Sequence, residues 1–117
     1  NSFAEFFLQI FDKYKKFYGS ACDKIAEERG RFSSELSKIP GVKVYESQAN
    51  YLLCKLSGEA KKIGSLGLAE KLLDGYNILI KDLSSKKGFE NGQFIRLAVR
   101  NCQDNDRLIF ALKEIFS

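Results

Sequence analysis

The sequence predicts an α+β fold, with a long N-terminal helix and a small, mostly antiparallel four-stranded sheet carrying its helices on one face, in the order α-β-β-α-β-β-α. Three observations carry this expectation. Apolar residues recur at helical spacing from about residue 3 to 39 and again from Leu108 to Phe116. Between these stretches stand short period-two segments of strand length. Helices and strands interleave without strict βαβ regularity, which favours a layer of helices against an antiparallel sheet.

The first helical stripe comprises Phe3, Phe7, Ile10, Tyr14, Phe17, Ala21, Ile25, Phe32, Leu36 and Ile39, and Pro40-Gly41 ends it. Ser2 and Glu5 have the spacing of a capping box. A straight helix of that extent would run on the order of 55 Å at ~1.5 Å per residue, whereas a compact domain of this size has a radius of gyration near ~13 Å. The helix must therefore bend, break or protrude, and Gly19 and Gly30 are the candidate breaks. Phe3, Phe6, Phe7, Leu8, Ile10 and Phe11 exceed one stripe. They either fold back on the core or cover another domain or subunit.

Residues 41–46 alternate as a first strand, and 51–56 form a second, more buried one, joined by the polar Ser47-Gln48-Ala49-Asn50. A loop from Gly58 to Gly64 leads to a short helix with Ser65 as its cap, Leu68, Leu72 and Leu73 inward, and Gly75 as its end. Residues 78–83 read as a third strand in which Leu79, Lys81 and Leu83 share a face. A charged loop, 84–92, precedes the strand 93–99. There Ile95, Leu97 and Val99 face one way and Phe94, Arg96 and Ala98 the other. Asn101 can cap the last helix, with Asp104 three residues on. No repeat, linker or low-complexity segment divides residues 1–117, so they are read as a single domain.

Arg96 is the residue most in need of explanation. A guanidinium in the middle of an apolar strand is costly unless an anion meets it. It is either a structural ion pair, an edge-strand arginine, or a clamp for a carboxylate or phosphate. Around it the chain is chemically sparse. It has no histidine, so the commonest general base and any Ser/His or Cys/His pair are missing. The three cysteines, Cys22, Cys54 and Cys102, are widely spaced and form no metal-binding pattern, and buried free thiols in a reducing cytoplasm account for them. The net charge of +4 is scattered among 15 acidic residues without an aromatic-rich strand motif, which reads as a solvated surface and not as a nucleic-acid site. No apolar run approaches the roughly 18 residues of a membrane span.

Four segments, in order, resemble the C-terminal small domain of fold-type-I pyridoxal-phosphate enzymes of the histidinol-phosphate aminotransferase and threonine-phosphate decarboxylase type. Asn1-Ser2-Phe3-Ala4-Glu5 is similar to the entry into the long interdomain helix. Pro40-Gly41-Val42 followed by Ser47-Gln48-Ala49-Asn50-Tyr51-Leu52-Leu53 resembles the family's strand pair. Tyr76-Asn77-Ile78-Leu79-Ile80-Lys81-Asp82 occupies the next strand, and Phe94-Ile95-Arg96-Leu97-Ala98-Val99 the last.

This resemblance implies that Arg96 binds the substrate carboxylate. Lys81 stands where relatives handling phosphorylated substrates carry an arginine near the distal anion. Asn50 lies beside the cleft, or else ties two strand ends together. Arg100 and Tyr76-Asn77 depart from the pattern, replacing glycines, and Arg100 would crowd the site or change its charge. The implied cofactor is pyridoxal phosphate, held mainly by a large domain that this chain does not contain, together with the Schiff-base lysine. The chain is thus expected to be a fragment, inactive alone, of a cytoplasmic aminotransferase acting as a homodimer on a small amino acid or amino-phosphate compound, with no nucleic-acid or membrane partner. A decarboxylase small domain, or a stand-alone module binding a small anion, is the alternative.

Overall fold

Residues 2–47 and 49–117 are described by a computed structural model, with the side chains of residues 1–8, 11, 14 and 16–22 outside the description. The sheet is built from β1 (Val42–Val44), β2 (Tyr51–Leu56), β3 (Lys81–Asp82) and β4 (Phe94–Ala98) in the order β1-β2-β4-β3, and every pairing is antiparallel. Three helices complete it: α1 (Ser2–Ser37), α2 (Glu59–Tyr76) and α3 (Cys102–Ile115). The element order is the expected α-β-β-α-β-β-α.

The core lies between one face of the sheet and the helices. Leu52, Cys54 and Leu56 of β2 and Ile95 and Leu97 of β4 are buried against Phe32 and Leu36 of α1, Leu68 and Leu72 of α2, and Leu108 and Leu112 of α3. Each such side chain, fully buried, contributes about 1.5–3 kcal/mol. Period two then sends the intervening residues of both strands to the opposite, open face.

Neither glycine breaks the first helix, which runs unbroken through Gly19 and Gly30. An isolated glycine costs only about 1 kcal/mol in a helix interior. The helix protrudes instead, and the molecule measures 67 Å along its longest axis against 30 and 24 Å across. Among the described residues of its stripe, Phe32, Leu36 and the following Ile39 are buried, whereas Ile10 and Ile25 are half exposed. The Ser2–Glu5 capping box and the phenylalanines at 3, 6, 7 and 11 fall on side chains outside the description.

Five further expectations are corrected. Residues 59–63 are helical and not loop; α2 kinks at Gly64, whose φ of 78° and ψ of 164° suit glycine, and continues from Ser65. It ends at Asn77, in the left-handed conformation, and not at Gly75; the Asn77 and Ile78 N–H groups close on the Leu73 and Leu72 carbonyls. Leu73 is half exposed because it lies about 100° around the helix from the buried Leu72. The third strand shrinks to two residues, since the bond from Ile78 N–H to Leu72 holds the chain at the helix end before it can pair. Leu83 is buried while Leu79 and Lys81 are exposed, so the three do not share a face. At the turn into β1, Gly41 has a φ of 88°, and a Cβ there would lie 2.8 Å from the Ser57 carbonyl oxygen.

A polar link joins α1 to α3. Arg31 donates to both carboxylate oxygens of Glu28, at 2.7 and 2.9 Å, and reaches Asp106 at 2.9 Å. Buried Asn105 donates to Glu28 at 2.6 Å and to the Arg100 carbonyl at 3.0 Å, and accepts from the Arg100 N–H. The Arg31 bonds hold the Glu28 carboxyl below its ordinary value against the opposing effect of burial, and the Asn105 bond adds to the lowering. A depressed carboxyl stabilises the fold above its unfolded pKa, and that stability is lost as pH falls through the folded value. The urea midpoint should therefore drop as pH falls below about the model-compound value of 4.5, and Glu28→Gln should show a smaller drop in the same series. An identical drop would remove Glu28 from this link.

Candidate functional site

β4 supplies the centre of the open face. Because Ile95 and Leu97 enter the core, Arg96 between them must point away from it, and it is exposed. Its register partners are Leu53 on β2 and Lys81 on β3. Two cations therefore stand directly opposite each other on neighbouring strands, an arrangement that is destabilising unless an anion relieves it. Among the described residues no carboxylate lies within salt-bridge distance of either. The Arg96 guanidinium sits 5.2 Å from the centre of the Tyr51 ring.

Arg96, Lys81 and Tyr51 line an open concavity of about 760 Å³ that also includes Asn50, Ala98 and Ser85. Arg96, Lys81 and Asn50, the three residues picked from sequence, are thus brought to one depression. Asn50 is exposed; what ties the strands there is its backbone carbonyl, which accepts from Val99 N–H at 2.8 Å. The segment leading to it is held at two points. Arg29 donates to the Ala49 carbonyl at 3.2 Å, and the Ser47 hydroxyl to the Tyr51 carbonyl at 2.8 Å.

Among the described residues Asp82 is the one carboxylate lining the concavity, and its oxygens are engaged. It accepts from the Ser65 hydroxyl at 2.5 Å, and from the Ser84 N–H and hydroxyl at 2.9 and 2.7 Å. Burial raises its carboxyl, but these bonds and the Lys81 charge outweigh that and leave it below its ordinary value. Ser65 is therefore a tie between α2 and β3 and does not cap its own helix. Asn101 does cap α3, accepting from Asp104 N–H at 2.8 Å. Arg100 lies outside the Arg96 concavity. It pairs with Asp104 at 2.9 Å and lines a neighbouring depression of about 270 Å³. The expected crowding does not occur.

The arrangement suits an anion: two cations, an aromatic ring and, among the described residues, no acid paired with either cation. It does not suit pyridoxal phosphate by itself, because among the described residues the one carboxylate lining it, Asp82, is already bonded to Ser65 and Ser84. Tyr51 was not singled out from the sequence as a site residue. The signal was present, since Tyr51 and Arg96 lie on one side of their strands and on the diagonal of an antiparallel pair.

No protein-family model matches the chain. It is 43% identical over 91 residues to a histidinol-phosphate aminotransferase of a Thermoanaerobacter species, a match covering 78% of this chain and 23% of that protein. It is 32% identical over 117 residues to the L-serine phosphate decarboxylase of Sulfurospirillum multivorans, covering 98% of this chain and 29% of the relative. The solved structure of a decarboxylase from Sulfurospirillum multivorans superposes with a TM-score of 0.81 at 32% identity, over 90% of this chain and 28% of that one. Its homologues are histidinol-phosphate aminotransferases and serine-phosphate decarboxylases, and the chain is a partial small domain of their fold. It spans about a quarter of the length of these relatives. Among the described residues no helix is long and apolar enough to cross a membrane.

The thiols divide into two classes. Cys54 is fully buried in the core, and burial pushes it up to about 12. Cys102 is exposed at the start of α3, contrary to the expectation of buried thiols, and the Cys22 side chain lies outside the description. At pH 8 an aromatic disulfide reagent should label Cys102 in the folded chain and reach Cys54 only on unfolding. Equal native labelling of both would contradict the packing of β2.

Proposed function

We propose that this chain is the wall of a pyridoxal-phosphate enzyme's active site that grips the acidic group of the substrate. The observation that carries the reading is the cross-strand pair of Arg96 and Lys81 on an open face, with no carboxylate at salt-bridge distance among the described residues. A guanidinium offers two parallel charge-assisted bonds to a carboxylate, and Lys81 beside it adds charge without a fork. Arg96 would hold the carboxylate of an amino acid. Lys81 would stand near a second anionic group, such as the phosphate of an amino-phosphate compound, and the Asn50 amide would lie at the rim. Homology to aminotransferases and to a phosphoserine decarboxylase supports a substrate of this kind.

Bound pyridoxal phosphate would supply the electron sink for bond breaking at the substrate's α-carbon. On this reading the Schiff-base lysine and the cofactor-phosphate cup belong to a large domain of a longer protein, in keeping with the quarter of its relatives' length that the chain spans. On this reading the chain alone is inactive, and its working partners are that large domain and a second copy of the enzyme, in the cytoplasm.

Transamination is the reading favoured by the 43% identity to the aminotransferase. Decarboxylation remains the second reading because the decarboxylase structure matches at a TM-score of 0.81. The carboxylate grip is common to both, and assay of the longer enzyme for released carbon dioxide against transferred amino group separates them. Once the large domain closes over the bound substrate the Arg96–carboxylate pair would be buried, and truncating one member of such a pair costs about 2–5 kcal/mol. Arg96→Ala in the longer enzyme should therefore raise KM for the amino acid by roughly two orders of magnitude. An unchanged KM would take Arg96 out of the site.

A further inference from the structure

We infer that Tyr51 is the positioning residue of the Arg96 guanidinium, a role that rests on the reading of Arg96 as the anion grip. Tyr51 pairs with Ala98, and Arg96 with Leu53, so ring and guanidinium meet on the diagonal of the β2–β4 ladder. Ala98 is small and leaves the space above its own strand to the ring. On the other side Lys81 stands opposite Arg96 and repels it. The guanidinium is thus pushed from β3 and drawn to the ring face, 5.2 Å from its centre.

A contact with a ring face consumes none of the in-plane N–H donors of a guanidinium. A carboxylate partner would consume two. The ring contact thus favours one direction of the fork while leaving its donors free for a ligand, which reduces the rotamer freedom to be lost on binding. The backbone that carries the ring is held in place, since the Ser47 hydroxyl donates to the Tyr51 main-chain carbonyl. Only the ring face is needed, so phenylalanine should serve and an aliphatic side chain should not. Tyr51 is 43% exposed at the first position of β2, so leucine is accommodated there without disturbing the core.

The test uses nitrogen-15-labelled chain and inorganic phosphate as the probe. In the wild type and in Tyr51→Phe, the Arg96 Nε proton should resonate upfield under the ring current, and phosphate should bind equally well. In Tyr51→Leu the upfield shift should vanish and affinity should fall about fivefold, the size of a partly exposed cation–π contact. With Arg96→Ala already present, Tyr51→Leu should produce no further loss. An unshifted Arg96 proton in the wild type, unchanged affinity in Tyr51→Leu, or a loss that persists in the Arg96→Ala background would each overturn the positioning role while leaving the Arg96 grip intact. If Arg96→Ala alone leaves phosphate affinity unchanged, the grip itself fails, and the role of Tyr51 falls with it.

Discussion

The alternation of β4 is the constraint from which the rest of the site follows. Burying Ile95 and Leu97 under the helices leaves Arg96 no route except the open face, because adjacent residues of a strand point oppositely. A register slip of one residue would drive the guanidinium into the core and expose both apolar side chains, at a cost of several kcal/mol. The fold and the direction of the cation are therefore one choice. Antiparallel pairing with β3 then sets Lys81 opposite it, and pairing with β2 brings Tyr51 within reach.

The helices serve this face from behind. α3 begins directly after β4, at the Asn101 cap, and buried Asn105 bonds both the N–H and the carbonyl of Arg100. The same amide reaches Glu28, so the end of the site strand is joined to α1 through a pair 77 residues apart. Asp82, tied to Ser65 and Ser84, holds β3 to α2. Glu28 satisfies structural donors away from the open face, and Asp82, which does line the depression, is occupied by Ser65 and Ser84, so neither acid pairs with Arg96 or Lys81.

Much of this was legible in the sequence where a local rule acts alone. β2 and β4 follow from period two, the cap of α3 from Asn101 and Asp104, and the outward Arg96 from its neighbours. Failures came where tertiary contacts decide. A single glycine does not stop a long helix, so Gly19 and Gly30 left α1 intact. The third strand was too long because the hydrogen bond from Ile78 to Leu72 is set by how α2 ends, not by the apolar run itself. The bond between Asn105 and Glu28 has no local signature. The grouping of Arg96, Lys81 and Asn50 was legible only through the resemblance to a family, since they are far apart in the chain and meet only when the sheet forms.

The most direct test of the central claim is a crystal structure of the longer protein with its amino acid substrate or a non-reactive analogue bound. The account predicts the ligand's carboxylate or phosphate oxygens at about 2.7–2.9 Å from the Arg96 guanidinium, with the Tyr51 ring still against its face. An anion bound elsewhere, with Arg96 turned to bulk solvent or closed on an acid of another domain, would contradict it.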